Sequence, residues 1–182
     1  MFETLMLLVV PTVGFRLLGA LGLSRFATWR SSATHGLAVL LLFTGSAHFV
    51  PDSVTIMPSH DDLVAMVPPF VPAPSLMIYI TGVLELLGAI GLVITRTRPA
   101  AGLGLAVLFV LLVPANIYAA VENIPLNGDP ATPLWFRLPE QVVYVVVALW
   151  AALPVRHGRV PKPADATSPG ATEADRRFGV RN

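Results

Sequence analysis

The amino-acid sequence predicts an all-α membrane protein, a helical bundle with five transmembrane helices. Of its 182 residues 54% are hydrophobic and only 13% are charged, about half the charged share of an average soluble domain. So little charge cannot cover the surface of a soluble fold, which excludes an ordinary soluble enzyme, a disordered protein and a nucleic-acid-binding protein. The chain also has no cysteine, which excludes thiol redox catalysis and thiolate metal sites.

Five apolar segments are long enough to cross a hydrocarbon core, which takes about 20 residues of helix. They cover residues 5–23, 34–50, 76–95, 100–121 and 134–153. The first segment follows Glu3 rather than a basic residue and contains Arg16, so we expect a retained span rather than a cleaved signal peptide. In the fourth segment Pro114 leaves the carbonyl of Val110 without its helical partner, which predicts a kink.

Basic residues lie almost entirely on one side of this five-span arrangement. One side holds ten of them in its two loops and the tail, whereas the loops of the other side hold Arg137 alone. Because basic loops stay in the cytoplasm, we predict a multi-pass protein of the cell (inner) membrane, with the N-terminus outside and the C-terminus cytoplasmic. The ten residues are Arg25, Arg30, Arg96, Arg98, Arg156, Arg159, Lys162, Arg176, Arg177 and Arg181.

The outer loop between the second and third spans, residues 51–75, has two distinct parts. Ser59 can cap a short helix, and Asp62 lies three residues later, where an acid favours the helix N-terminus. Apolar residues then follow at helical spacing, which predicts a short helix in the membrane interface or folded over the bundle. These residues are Leu63, Met66, Val67 and Phe70. A proline-rich segment with Pro68, Pro69, Phe70 and Pro72 predicts a stiff extended stretch, either a lid or a rigid connector.

One acid, Glu85, is predicted near the midplane of the third span, where an ionisable side chain by default indicates a function. A helical rise of about 1.5 Å per residue puts it roughly 14 Å from the outer boundary and Arg16 at a depth of roughly 17 Å. Two interpretations follow. Glu85 and Arg16 form a buried structural ion pair, or Glu85 is a neutral acid that bonds to Tyr144 or Asn116.

Seven polar residues are predicted to converge in the outward half of the bundle as a ligand pocket. The alternative interpretation is a set of interhelical hydrogen bonds worth about 0.6 kcal/mol each. The seven are His48, Tyr79, Glu85, Asn116, Glu140, Gln141 and Tyr144. The four histidines lack metal-ligand spacing, and the chain has neither a phosphate-binding loop nor a serine nucleophile elbow. We therefore predict no metal site and no catalytic residue.

Five motifs together resemble DoxX-like membrane proteins, and they occur in the family's order. They are FTGSAHF at 43–49, MVPPFVP at 66–72, TGVLELLGA at 81–89, RPAAG at 98–102 and PANI at 114–117. The resemblance implies a four-helix membrane core at 33–153. An N-terminal transmembrane helix with a basic inner loop, 1–32, would precede this core. Residues 154–182 are rich in proline, alanine and arginine, which predicts a disordered cytoplasmic tail.

DoxX-like proteins mostly lack an assigned activity, and some are linked to thiosulfate:quinone oxidoreduction, oxidative-stress complexes or receptor assembly. Because the sequence has no catalytic constellation and is dense in small residues that favour helix packing, we expect a non-catalytic accessory or scaffold subunit. Its partners would be the lipid bilayer, a membrane or peripheral protein, and a second copy of the chain. The alternative is a subunit of a membrane oxidoreductase system that binds a quinone or another lipophilic ligand, with Glu85, His48 and Asn116 handling hydrogen bonds or protons. A third hypothesis is a small transporter. No cofactor is evident apart from the quinone of the alternative.

Overall fold

The computed structural model describes residues 3–153, and over that range it contains helices, turns and loops but no strand. The helices are α1 (Glu3–Ala20), α2 (Trp29–Ala47), α3 (His60–Ala65), α4 (Pro74–Val93), α5 (Arg98–Leu111), α6 (Val113–Val121) and α7 (Leu134–Ala152). A single 3-10 turn, Ser24–Phe26, precedes α2. The predicted all-α class is confirmed, whereas the tail predicted at 154–182 lies outside the described residues.

Four helical segments are long and apolar enough to cross a membrane. They are α1, α4, the α5–α6 pair taken as one segment of 24 residues, and α7. Large apolar side chains cover their outward faces, as in Val10, Leu87 and Leu111. A soluble monomer rarely exposes such a continuous apolar surface. The remaining predicted span, the second in chain order, corresponds to α2, which is 19 residues long but is not among these four.

The helices alternate in direction, so the bundle has two ends of different character. At one end α1, α4 and α7 finish and α2 and α5 begin. We call this the basic end, because it holds four of the predicted cytoplasmic basic residues: Arg25, Arg30, Arg96 and Arg98. The opposite end, which we call the long-loop end, carries the connections 48–73 and 122–133.

Helix α2 lies in the centre of the bundle, packed against α1, α4 and α7. Eleven of its 19 residues are buried. The core forms around Leu37, Leu40 and Leu41 of α2, together with Leu92 of α4 and Ala148 of α7. Because its neighbours surround it, α2 presents little surface to the outside of the bundle. Its small polar residues can therefore bond within the protein rather than face an apolar medium.

The helix boundaries differ from the predicted spans by a few residues, for identifiable reasons. Helix α2 begins five residues earlier than expected, because the side chain of Thr28 accepts a hydrogen bond from the backbone N–H of Ser31 and caps the helix. Helix α1 ends at Ala20, close to Gly22, whose φ of 107° turns the chain. At the predicted kink the helix is interrupted, since α5 ends at Leu111 and α6 begins at Val113, just before Pro114.

The short outer helix α3 begins where the sequence predicts. The side chain of Ser59 accepts from the backbone N–H of Asp62 at 3.2 Å, and the carboxylate of Asp62 accepts from the backbone N–H of Ser59 at 3.0 Å. This reciprocal pair is a capping box. The helix is shorter than the apolar spacing predicts, since it already ends at Ala65. Phe70 lies beyond the helix, and 77% of its surface is exposed.

The proline-rich segment is not extended, so that prediction is wrong. The backbone N–H of Val71 donates to the carbonyl of Pro68 at 3.0 Å and closes a four-residue turn. Proline at the second position of such a turn, here Pro69, presets the required φ. The segment ends at Ala73, which adopts a left-handed φ of 47° immediately before Pro74 starts α4.

Candidate functional site

The predicted pocket residues divide into two clusters that no hydrogen bond or ion pair connects within residues 3–153. We call the first the α2–α4 cluster, which consists of Thr44, His48, Thr81 and Glu85. We call the second the α7 cluster, which consists of Thr4, Asn116, Arg137, Glu140, Gln141 and Tyr144. The structure thus gives two separate polar sites where the sequence predicts one, and Tyr79 belongs to neither.

In the α2–α4 cluster a buried acid faces a buried histidine. Glu85 and His48 are 6% and 7% exposed. The hydroxyl of Thr44 donates to Oε2 of Glu85 at 2.8 Å. Nε2 of His48 lies 3.7 Å from Oε1 of Glu85, which is too long for a hydrogen bond. Glu85 therefore has one oxygen in a hydrogen bond and one that only faces the imidazole ring.

The ring of His48 is held in one orientation. Its Nδ1 lies 2.7 Å from the carbonyl oxygen of Ile78, so Nδ1 carries a proton and donates it to that bond. In the neutral ring Nε2 is then an acceptor that faces the carboxyl group of Glu85. A proton on either Oε1 of Glu85 or Nε2 of His48 makes the contact between these two atoms favourable, because one of them then donates and the other accepts. The cluster can accordingly hold one shared proton or donate a hydrogen bond to an oxygen placed between the two groups.

Helical spacing and one glycine bring this cluster together. Thr44 and His48 are four residues apart at the end of α2, and Thr81 and Glu85 are four residues apart on α4, so each pair lies on one face. A Cβ atom on Gly82 would lie 2.5 Å from Cβ of His48. Only glycine therefore allows the end of α2 to approach α4 this closely.

The predicted ion pair between Arg16 and Glu85 does not form within the described part of the chain. Helix α1 ends at Ala20, so Arg16 lies only about one turn from the basic end. Its guanidinium carbon is 5.7 Å from the ring centroid of Trp29 at that same end. The side chain of Glu85 instead meets His48 at the C-cap of α2, towards the long-loop end. The partners proposed for a neutral Glu85, Tyr144 and Asn116, bond to other residues.

Above the α2–α4 cluster, His60 fastens α3 to the bundle. Its ring stacks on the ring of Tyr79, with centroids 4.1 Å apart. Its Nδ1 lies 2.8 Å from the backbone carbonyl of His48, and its Nε2 lies 2.8 Å from the hydroxyl of Ser75. The ring of Tyr79 thus has a packing role at the surface. The sequence interpretation missed His60, although its position at the start of a capped helix was a usable signal.

The α7 cluster lies on one face of α7, since Arg137, Glu140, Gln141 and Tyr144 follow the spacing i, i+3, i+4 and i+7. Oε1 of Glu140 accepts from the hydroxyl of Tyr144 at 2.7 Å and from the hydroxyl of Thr4 at 2.5 Å. Glu140 therefore joins α7 to the start of α1. Thr4 was not predicted, because nothing in the sequence indicates which helix contacts Glu140.

The other half of the α7 cluster joins α7 to the break between α5 and α6. The side-chain amide of Gln141 donates to the carbonyl of Phe109 at 2.7 Å and its oxygen accepts from Asn116 at 3.3 Å. A guanidinium N–H of Arg137 donates to the side-chain oxygen of Asn116 at 2.8 Å. Arg137 was predicted only as the lone basic residue of its side, yet its helical spacing from Gln141 indicates this role.

Two surface concavities lie away from both clusters. The first, of about 350 Å³, is at the long-loop end. It is lined by Asp52, Val54, Thr55, Ser59, Asp62, Asn127 and Gly128. The second, of about 230 Å³, is an apolar groove between α4 and α5. None of the seven predicted pocket residues lines either concavity. Within residues 3–153, no three His, Asp or Glu side chains group as metal ligands would.

Comparison with known proteins gives one match. A family model described as a domain of unknown function, DUF8561, matches residues 37–152, which is well over half of the chain. The matched region starts within α2 and ends at the last residue of α7, and it contains all of the α2–α4 cluster. It also contains every residue of the α7 cluster except Thr4. No curated protein and no solved structure matches the chain.

Proposed function

Since the chain belongs to the DUF8561 family, for which no function is described, we propose from its own geometry that it is a non-catalytic accessory or scaffold subunit in the membrane. The observation that carries this proposal is that the polar side chains of the α7 cluster form hydrogen bonds within the protein. In the α7 cluster, Asn116, Arg137, Glu140, Gln141 and Tyr144 all bond to one another, to Thr4 or to a helix carbonyl. Such bonds fix helices relative to each other and leave little capacity for a substrate.

The proposal includes five spans, namely the four apolar segments described above and α2, which is the second span in chain order. Helix α2 has 19 residues, which correspond to about 28 Å of helix, close to the thickness of a hydrocarbon core. Ser32, Thr34 and His35 of α2 are buried inside the protein, so these polar side chains do not face lipid. The mean hydropathy of α2, which is lower than that of the four apolar segments, therefore does not prevent α2 from spanning the membrane, because other helices enclose it.

The proposed orientation places the basic end in the cytoplasm of a cell (inner) membrane. The connections at that end hold Arg25 and Arg96 and contain no acid, whereas the long-loop end holds Asp52, Asp61 and Asp129. Basic residues close to spans are retained on the cytoplasmic side. The N-terminus of α1 would then lie outside and the end of α7 in the cytoplasm.

We also propose a relation to DoxX-like proteins, with α2, α4, the α5–α6 pair and α7 as the four-helix core. The match over residues 37–152 supports a core of this extent, because it lies within the 33–153 predicted from the motifs and leaves out α1. Helix α1 would be an added span, which is consistent with Leu8 being its one buried residue in the structure.

The α2–α4 cluster favours a second candidate, a subunit that binds a quinone or another lipophilic ligand. Oε1 of Glu85 and Nε2 of His48 face each other at 3.7 Å without a hydrogen bond. Each atom therefore retains capacity to bond an oxygen atom of a ligand or to exchange a proton with it. Unlike the α7 cluster, this site has two polar atoms without a hydrogen bond, Oε1 of Glu85 and Nε2 of His48. It also lies close to the long-loop end.

Purification of the full chain in mild detergent, followed by mass spectrometry of co-purified proteins, lipids and quinones, tests the two candidates. A stoichiometric protein partner without a quinone supports the scaffold role. A stoichiometric quinone that is lost in Glu85→Gln and kept in Glu140→Gln supports the second candidate and contradicts the first. Glu140→Gln is the matched control, because it changes an acid of the α7 cluster in the same way.

A further inference from the structure

Three arginines from three different elements meet at the basic end. Arg25 of the 3-10 turn donates to the carbonyl of Val93 at 2.8 Å, and Arg98 of α5 donates to the carbonyl of Leu92 at 2.8 Å. These two carbonyls are neighbours at the end of α4, so the two guanidinium groups lie close together. Arg30 of α2 donates to the carbonyls of Ala151 and Leu153 at the end of α7. We call these three residues the arginine cluster.

The positive charge of the arginine cluster is not balanced within the described part of the chain. The connections 21–28 and 94–97 contain no acid, and the ion pair within residues 3–153 joins His48 to Glu85. Arg25 and Arg30 also lie close enough to Arg98 for their charges to repel. Three helices end and two begin at this side, and their dipoles leave only about half a negative charge. An excess of about two and a half positive charges remains.

The guanidinium groups are held in place and keep free donors. Nδ1 of His35 lies 2.7 Å from the carbonyl of Ser31 and donates to it, so Nε2 accepts from Nε of Arg25 at 3.1 Å. This buried neutral histidine fixes the plane of Arg25. The carbonyl bonds use only one N–H group of Arg98 and one or two of Arg30, so each arginine retains at least half of its donors.

We propose that the arginine cluster binds the phosphate group of an anionic membrane lipid. Planar guanidinium groups recognise phosphate oxygens through paired hydrogen bonds, and basic pockets between helices on the cytoplasmic side bind lipid headgroups in this way. The surroundings favour a lipid over free phosphate. Leu21 and Leu23, which precede Arg25 in the chain, are 82% and 50% exposed, which suits acyl chains. Trp29, 56% exposed beside Arg16, is typical of a residue at headgroup level.

The experiment measures binding of fluorescent phosphatidylglycerol, with phosphatidylcholine as the neutral comparison, to the full chain in detergent. For Arg25→Gln with Arg98→Gln we expect about tenfold weaker binding of phosphatidylglycerol and unchanged binding of phosphatidylcholine. Arg96→Gln is the matched control for Arg25→Gln alone, because each removes one exposed charge from the same end and Arg96 lies outside the arginine cluster. We expect it to weaken binding less than twofold.

Three outcomes would overturn the proposal. The first is an equal loss in Arg96→Gln and in Arg25→Gln alone, each of which removes one charge, because binding would then depend only on the overall charge of this end. The second is unchanged binding in the double variant. The third is complete displacement of the lipid by millimolar inorganic phosphate, which would identify free phosphate as the ligand. If the double variant fails to fold, Arg25→Gln alone is used, since Arg25 is exposed and lies in the short 3-10 turn. We expect a loss of about threefold, and no loss would contradict the proposal.

Discussion

At the scale of single residues, the partners of Glu85 depend on the end of the bundle that its side chain faces. Its partners are Thr44 and His48, whereas Arg16 lies against Trp29. The two charged residues therefore belong to independent environments. Equal predicted depth did not bring them together, because a long side chain such as that of arginine extends towards the nearer interface.

This independence gives a prediction from a double-mutant cycle. Glu85→Gln and Arg16→Met should change the free energy of unfolding additively, within about 0.5 kcal/mol, because no contact couples them. Glu85→Gln and Thr44→Val should instead couple, since the Thr44 hydroxyl donates to Oε2 of Glu85. Thermal unfolding in detergent measures both cycles. A coupling free energy above about 1 kcal/mol between Arg16 and Glu85 would contradict this independence and support the ion pair.

The tyrosine hydroxyls give a second residue-scale prediction. Tyr144→Phe should lower the free energy of unfolding by about 1–2 kcal/mol, because its buried hydroxyl donates to the carboxylate of Glu140 at 2.7 Å. Tyr79→Phe should change it by less than about 0.5 kcal/mol, since Tyr79 contributes its ring. Unfolding in denaturing detergent compares the two variants. Equal losses would contradict the role assigned to the Tyr144 hydroxyl.

Part of the candidate site was predictable, because it depends on helical spacing. Glu140, Gln141 and Tyr144 could be placed on one face of α7 from the sequence, and the same spacing includes Arg137. The partners on other helices were not predictable in this way. Thr44 pairs with Glu85 and Thr4 with Glu140 only because of how the helices rotate and shift against each other, and a single sequence does not contain that information.

At the scale of elements, close helix contacts depend on particular glycines. Helices α5 and α7 approach at Gly102, where an added Cβ would lie 2.5 Å from the carbonyl oxygen of Ala148 and 2.9 Å from the backbone nitrogen of Ala152. Backbone atoms cannot move away as a flexible side chain can. Gly104, two residues later on α5, has nothing within 4 Å of an added Cβ.

These two positions form a matched pair for mutation. Gly102→Ala should lower the free energy of unfolding by about 1–3 kcal/mol through overpacking. Gly104→Ala should be neutral or stabilise by up to about 1 kcal/mol, because alanine favours helix over glycine. Thermal unfolding of the purified variants measures the difference. A Gly102→Ala protein as stable as Gly104→Ala would show that α5 and α7 do not pack as described.

Elements set by local chemistry were predictable, and those set by competing local preferences were less so. The Ser59 capping box located the start of α3, and Pro114 located the break between α5 and α6. The proline-rich segment was misjudged, because Pro69 favours a turn as readily as an extended chain. The hydrogen bond from Val71 to Pro68 decides between them, and composition alone does not reveal it.

At the scale of the whole molecule, α2 decides whether the proposed bundle has four transmembrane spans or five. Hydropathy identifies helices that face lipid, and it under-rates a central helix whose polar side chains bond within the bundle. Helix α2 is enclosed by α1, α4 and α7, so its sequence is less apolar than theirs. We propose that α2 nevertheless spans the membrane and places the basic end and the long-loop end on opposite sides.

The most direct test uses the absence of cysteine, which allows single cysteines to be labelled without background. Ser24→Cys lies at the basic end before α2, and Ser53→Cys lies at the long-loop end after it. Both positions are exposed. With a membrane-impermeant maleimide, we expect Ser53→Cys to be labelled in intact cells and Ser24→Cys only after permeabilisation. Labelling of both from the same side would contradict it, because α2 would then not cross the membrane.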